Sequence, residues 1–78
     1  MQQHEIYTKL SDVFEDVFDE EITLTPELSA DDVDGWDSVT HIRLILAVEE
    51  AFGVKFAAAE VGEPDNVGEL VALIERKL

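Results

Sequence analysis

Few side chains in this sequence could carry covalent or metal chemistry. There is no Cys, which removes disulfides, thiolate ligands and a Cys nucleophile. The two His residues, His4 and His41, lie far apart and form no cluster with the spacing of a metal site. His41 falls at the edge of the apolar face of a predicted helix, so we interpret it as a packed side chain. The remaining candidate is the pair Asp37-Ser38.

Asp37-Ser38 stands where a helix is predicted to begin. Asp37 is a favourable N-cap, which places Ser38 in the first turn with its hydroxyl exposed. Backbone N–H groups there lack intrahelical acceptors and lie at the positive end of the helix dipole. This environment favours a phosphate attached to, or bound at, the hydroxyl oxygen. Because the same pair also occurs at helix starts simply as a cap, both interpretations stay open at this point.

An acidic run from Ala30 to Gly35 invites a comparison with a calcium-binding loop. With Gly35 at the sixth position of such a loop, Ala30 takes the first position and His41 the twelfth. Both positions should be carboxylates, the last a bidentate Glu. The run fails at the two most demanding positions, so we predict no metal site.

The first half of the sequence predicts a helix followed by a long loop. Asp19 to Asp37 holds no period, and it contains the turn signals Thr25-Pro26 and Asp34-Gly35. Apolar residues within the loop predict that it is ordered and packed on the core: Ile22, Leu24, Leu28, Val33 and Trp36. The preceding helix is predicted from a stripe at helical spacing: Ile6, Leu10, Val13, Phe14, Val17 and Phe18.

Two further helices are indicated by their termini. The second is predicted from Ser38 to about Phe52, after the N-cap and before a stop at Gly53. The last is predicted to begin near Asn66, which is spaced from Glu69 as in a capping box. Between them, residues 57–61 predict a short helical turn at most. We therefore expect one domain, residues 1–78, with three main helices.

The second helix carries two apolar faces. One broad face suits the core: Leu44, Ile45, Ala47, Val48, Ala51 and Phe52. Val39, Ile42 and Leu46 form a second group on another side, which a domain of three main helices cannot easily bury. These three residues, called the apolar patch below, are predicted either to be exposed for docking or to be covered by the long loop.

The net charge excludes some partners. The sequence has 19 acidic and 5 basic side chains, for a net charge of −14, which disfavours nucleic acid and anionic membranes. No apolar run approaches the ~20 residues of a membrane span, and the N-terminus has no signal-peptide pattern, so the expected compartment is the cytoplasm. Residues 1–37 hold a charge of −11, whereas residues 38–78 hold −3.

From Gly35 to Gly53 the sequence resembles the acyl carrier proteins. Their signature is Asp-Ser followed by an aliphatic residue at the start of the second helix, here Asp37-Ser38-Val39. That helix ends in an acidic pair and Phe, here Glu49-Glu50-Ala51-Phe52. The resemblance covers nearly the whole chain. It implies an all-α fold, a small four-helix bundle of three main helices and one short helix, with a long ordered loop between the first and second helices.

The resemblance implies a carrier and not an enzyme. Ser38 would receive 4′-phosphopantetheine from coenzyme A through a phosphopantetheinyl transferase, beside the signature residue Asp37. The thiol of this arm would hold acyl intermediates as thioesters. A monomeric carrier would deliver them to acyl-transferring, ketosynthase or acyl-activating enzymes of fatty acid, polyketide or other specialised acyl pathways. The implied partner-binding residues are Trp36, Val39, Ile42, Arg43, Leu46, Glu49 and Glu50.

Some residues depart from the pattern of housekeeping fatty-acid carriers. Thr40, His41 and Arg43 stand where those proteins usually have acidic residues, and Val39 replaces the usual Leu. Trp36 directly before the signature also differs. These departures favour a specialised stand-alone carrier. The alternative from another class is a small acidic helical adaptor that binds a basic partner protein without carrying a cofactor.

The acidic excess generates a prediction about stability. Self-repulsion among the carboxylates destabilises the compact state at low ionic strength. Salt screens this repulsion, because the Debye length falls from about 30 Å at 0.01 M to about 8 Å at 0.15 M. We expect the Tm measured by circular dichroism to rise across this range of NaCl concentration. A Tm that does not change with salt would contradict this expectation.

Overall fold

The computed structural model describes all 78 residues, which fold into four α-helices without β-strands. Helix α1 spans Gln3–Phe18, α2 Ser38–Phe52, α3 Ala58–Val61 and α4 Val67–Lys77. The prediction of an all-α bundle with three main helices, one short helix and a long loop before α2 is confirmed. None of the helices combines the length and the apolar character that crossing a membrane requires.

The core lies between α1, α2 and α4. Ile6, Leu10 and Phe14 of the predicted α1 stripe are completely buried, and Val17 and Phe18 are half-buried against the same core. Helix α2 presents the broad apolar face that its periodicity predicts. The buried residues of α2 and α4 in this core are Leu44, Ile45, Val48, Phe52, Val67, Leu70, Val71 and Ile74.

The ends of α2 and α4 carry the predicted caps. Gly53 has φ 66° and ψ 36°, a left-handed conformation that glycine adopts without steric cost, and its N–H donates to Glu49 O. Asn66 Oδ1 accepts the Glu69 N–H at 2.8 Å. The reciprocal half of the box differs from the prediction, because Glu69 Oε1 accepts the N–H of Asp65 at 3.0 Å and not that of Asn66.

The long loop is ordered, as predicted. Val33 and Trp36 are buried, and Ile22, Leu24 and Leu28 are half-buried against the core. The loop also contains a short 3₁₀ turn, Ala30–Asp32, which no periodicity in the sequence predicts. This turn begins where Ser29 N–H donates to Asp32 Oδ2 at 3.1 Å.

Backbone hydrogen bonds hold the loop against the first turn of α4. Leu28 O accepts the Val67 N–H at 2.8 Å, and Pro26 O accepts the Gly68 N–H at 3.0 Å. The loop thereby satisfies two of the N–H groups that have no acceptor within their own helix. The approach is close, since a Cβ at Gly68 would lie 3.1 Å from both the Cβ and the O of Pro26.

This close approach predicts that Gly68→Ala destabilises the fold. Ala would gain about 1 kcal/mol in helix propensity, but overpacking costs about 1–3 kcal/mol, and Pro26 O cannot retreat without lengthening its hydrogen bond. We expect the free energy of unfolding in urea to fall by about 1 kcal/mol. The control is Gly62→Ala, where a Cβ would meet nothing within 4 Å. Equal stability of the two variants would contradict the prediction.

Candidate functional site

Ser38 is the first residue of α2, and its side chain is exposed. The prediction that Asp37 caps this helix is confirmed, because Asp37 Oδ1 accepts the Thr40 N–H at 2.9 Å. Thr40 Oγ1 lies 2.9 Å from the same carboxylate oxygen and 2.6 Å from Gly35 O. These contacts fix the backbone on both sides of Ser38 while leaving its hydroxyl facing solvent.

The cap also affects the charge beside Ser38. The hydrogen bond from the Thr40 backbone, and next that from the Thr40 hydroxyl, hold the pKa of Asp37 below its ordinary value. Because the folded pKa lies below that of the unfolded chain, the cap stabilises the fold at neutral pH. That stabilisation is lost as the pH falls through the folded pKa.

An apolar cleft of about 410 Å³ opens beside Ser38, and we call it the Ser38 cleft. It lies between the start of α2 and α3. Apolar side chains form much of its lining, so the cleft suits a mostly apolar group attached at the exposed hydroxyl of Ser38. The lining residues include Trp36, Ser38, His41, Ile42, Val61 and Pro64.

Trp36 and His41 form the inner part of the cleft. The two rings are inclined by only 14°, and Trp36 Nε1–H donates to His41 Nδ1 at 3.1 Å. His41 Nε2 lies 2.8 Å from Val61 O. Since Nδ1 accepts, the neutral imidazole carries its proton on Nε2 and donates it to Val61 O. This pair of hydrogen bonds is called the His41 bridge below, and it confirms the prediction of a packed His41.

The assignment of Trp36 to the partner-binding surface needs correction. Its side chain is only 9% exposed. The indole packs edge-on against Phe14, with ring centroids 5.3 Å apart, and also contacts Phe18. An aromatic residue beside the signature suggests a docking group, but here it is part of the core and of the cleft floor.

The apolar patch is exposed, and the long loop does not cover it. Val39 is 73% exposed, Ile42 50% and Leu46 58%. Arg43 and Glu50 are exposed on the same helix. Glu49 is half-buried, and its carboxylate accepts the Phe56 N–H at 2.8 Å, so this predicted partner residue is engaged within the protein.

Neither the His41 bridge nor the Ser38 cleft was predicted from the sequence. Val61 lies 20 residues after His41, so no local pattern connects them. The one signal in the sequence was that Trp36 and His41 stand five residues apart, on either side of the predicted start of α2. No group of three or more His, Cys, Asp or Glu side chains is placed so that it could hold a metal ion.

Comparisons with known proteins agree with this geometry. No protein-family model matches the chain. The acyl carrier protein of Thermotoga maritima is 31% identical over 77 residues, which cover 97% of this chain and 95% of that protein. The acyl carrier protein of Coprothermobacter proteolyticus is 31% identical over 81 residues, which cover 100% of this chain and 96% of that protein.

A solved structure has the same architecture. The solution structure of the holo acyl carrier protein from Geobacter metallireducens has a TM-score of 0.83 and is 42% identical. The match covers 91% of this chain and 83% of that chain. Likeness in sequence and in fold extends over nearly the whole length, and the protein therefore belongs to the acyl carrier protein family, whose members are carriers and not enzymes.

Proposed function

We propose that Ser38 carries a covalently attached 4′-phosphopantetheine derived from coenzyme A. The observation that carries this proposal is the placement of one exposed hydroxyl, in the Asp-Ser-aliphatic position of the family, at the start of α2 and beside an apolar cleft. Family membership favours this function over that of an acidic adaptor without a cofactor.

The residues around Ser38 fit the phosphate end of such a group. In the modification, Ser38 Oγ would form a bond to the pantetheine-bearing phosphorus of coenzyme A. The bond from that phosphorus to the departing adenosine bisphosphate would break. The hydroxyl proton would pass to a base of the transferase. The resulting phosphodiester would lie at the positive end of α2, where free N–H groups favour an anion. Asp37 bonds to Thr40, so its carboxylate is directed toward the helix backbone.

The attached group would supply a thiol that holds acyl groups as thioesters. The protein contains no Cys, so this thiol would be its only one. Ser38 itself anchors the arm, and the Ser38 cleft offers apolar surface next to the anchor. The protein would thus deliver acyl groups to enzymes of fatty acid, polyketide or other specialised acyl synthesis.

The apolar patch is the proposed docking surface for the phosphopantetheinyl transferase and for these acyl-handling enzymes. Arg43 lies on the same helix and takes part in no ion pair, while residues 38–48 contain no acidic side chain. The acidic surplus lies in α1 and the loop, so it would steer a basic partner while the patch supplies the apolar contact. This mixture supports a specialised carrier over one that serves the central fatty-acid synthase.

The attachment is tested by incubating the protein with coenzyme A and a promiscuous phosphopantetheinyl transferase. We expect mass spectrometry to show one added phosphopantetheinyl group, and peptide mapping to place it on Ser38. Ser38→Ala should abolish the addition, whereas the control Ser11→Ala should not change it. Equal modification of Ser38→Ala would rule out this site. An adaptor would bind its partner equally well with Ser38→Ala and would gain no mass.

The docking surface is tested by a matched pair of leucines. Leu46 and Leu78 are 58% and 53% exposed, but only Leu46 belongs to the patch. Removal of an interface anchor commonly costs more than about 1 kcal/mol, equivalent to about fivefold. We expect Leu46→Ala to reduce the kcat/KM of the transferase reaction by about fivefold or more, and Leu78→Ala to leave it unchanged. Equal effects of the two substitutions would contradict the assignment.

A further inference from the structure

Helix α3 is the weakly held wall of the Ser38 cleft. It is four residues long, and none of its side chains is fully buried. A helix this short has no stability of its own, so contacts with its neighbours determine its position. On the side of α4, Lys77 Nζ lies 2.8 Å from Glu60 Oε1. On the side of α2, the hydrogen-bonded contact is the one from His41 Nε2 to Val61 O at 2.8 Å.

Trp36 sets the state of His41 that makes this contact. Because Nδ1 accepts the indole N–H, the imidazole proton is left on Nε2, where it can be donated to Val61 O. Trp36 is in turn fixed by its packing against Phe14. The position of α3 is therefore linked, through one imidazole, to a side chain of the core.

Ser38, His41 and Val61 all line the same cleft, so its width depends on the His41 bridge. Separation of α3 from α2 would lengthen the bond to Val61 O. Toward the interior, the Trp36 indole fills the space next to Phe14. A group attached at Ser38 that lay along the cleft would therefore meet the His41 bridge and the Trp36 indole before it reached Phe14.

We propose that His41 is a positioning residue that determines cargo size, because the His41 bridge restricts the cleft to short acyl chains. A longer chain stays in solvent unless α3 is released from α2. This inference rests on the proposed attachment at Ser38 and adds to it the class of acyl group that the cleft accepts.

Two substitutions separate the two halves of the bridge. The amide nitrogen of Gln can take the place of Nε2, so His41→Gln retains a donor to Val61 O. The amide oxygen of Asn can take the place of Nδ1, so His41→Asn retains an acceptor for Trp36 but does not reach Val61. In the unloaded protein, we expect exchange of the Glu60 and Val61 amide protons to be about fivefold faster in His41→Asn. We expect His41→Gln to exchange at the wild-type rate.

The cargo is tested with butyryl- and octanoyl-coenzyme A, which the transferase would load onto Ser38. In the wild-type protein, NMR should show contacts from the terminal butyryl methyl group to Ile42 and Val61, and none from the octanoyl methyl group to buried residues. In His41→Asn, the octanoyl methyl group should gain contacts to Trp36 and Val61. His41→Gln should behave as the wild-type protein does.

Failure of the His41 inference can be distinguished from failure of the proposed attachment at Ser38. Mass spectrometry of the loaded protein comes first, and absence of an adduct contradicts the attachment, while amide exchange in the unloaded protein still decides on the bridge. Equal exchange in His41→Asn and His41→Gln overturns the inference. The inference is also overturned if the octanoyl group contacts buried residues of the wild-type protein while the ¹⁵N chemical shifts of His41 stay unchanged. This last comparison requires no variant and stands even if a substitution prevents folding.

Discussion

The burial of Trp36 is the constraint on which the site depends. The residue directly precedes the cap of α2, and its indole is held between Phe14 and Phe18 of α1 and the imidazole of His41. Its packing brings the end of a long loop to one point on α1, and α2 begins from that point. With Trp36 directed inward and Asp37 bonded to Thr40, the next side chain, Ser38, is left on the surface.

Much of this arrangement could be predicted from local patterns. Periodicity located α1, and the residue types at Asp37, Gly53 and Asn66 located the ends of α2 and α4, because capping depends on only a few neighbouring residues. The number of apolar faces on α2 identified the patch, but only the tertiary fold decided that the loop leaves it exposed. The 3₁₀ turn was not predicted, because the contact of Ser29 with Asp32 produces no apolar period. The His41 bridge was not predicted, because it joins residues that only the tertiary fold brings together.

Charge is distributed unevenly over the helices and the long loop. The two ion pairs, Arg76 with Glu63 and Lys77 with Glu60, both link α4 to the segment around α3. The apolar patch of Val39, Ile42 and Leu46 is uncharged, and Arg43 is the one Asp, Glu, Lys or Arg residue from Ser38 to Val48. The carboxylates of α1 and the loop have few basic neighbours, with Lys9 placed over the Phe52 ring at 5.3 Å. An acidic half thus adjoins a helix that is nearly neutral.

Trp36 is the only tryptophan of the protein, and it lies where the core meets the cleft. Tryptophan fluorescence therefore arises from a single site, next to an imidazole that accepts a hydrogen bond from the indole N–H. Emission from this one chromophore reports the environment of the cleft without any label. The side chain that positions α2 thus also serves as a built-in optical probe of whatever is attached or docked beside Ser38.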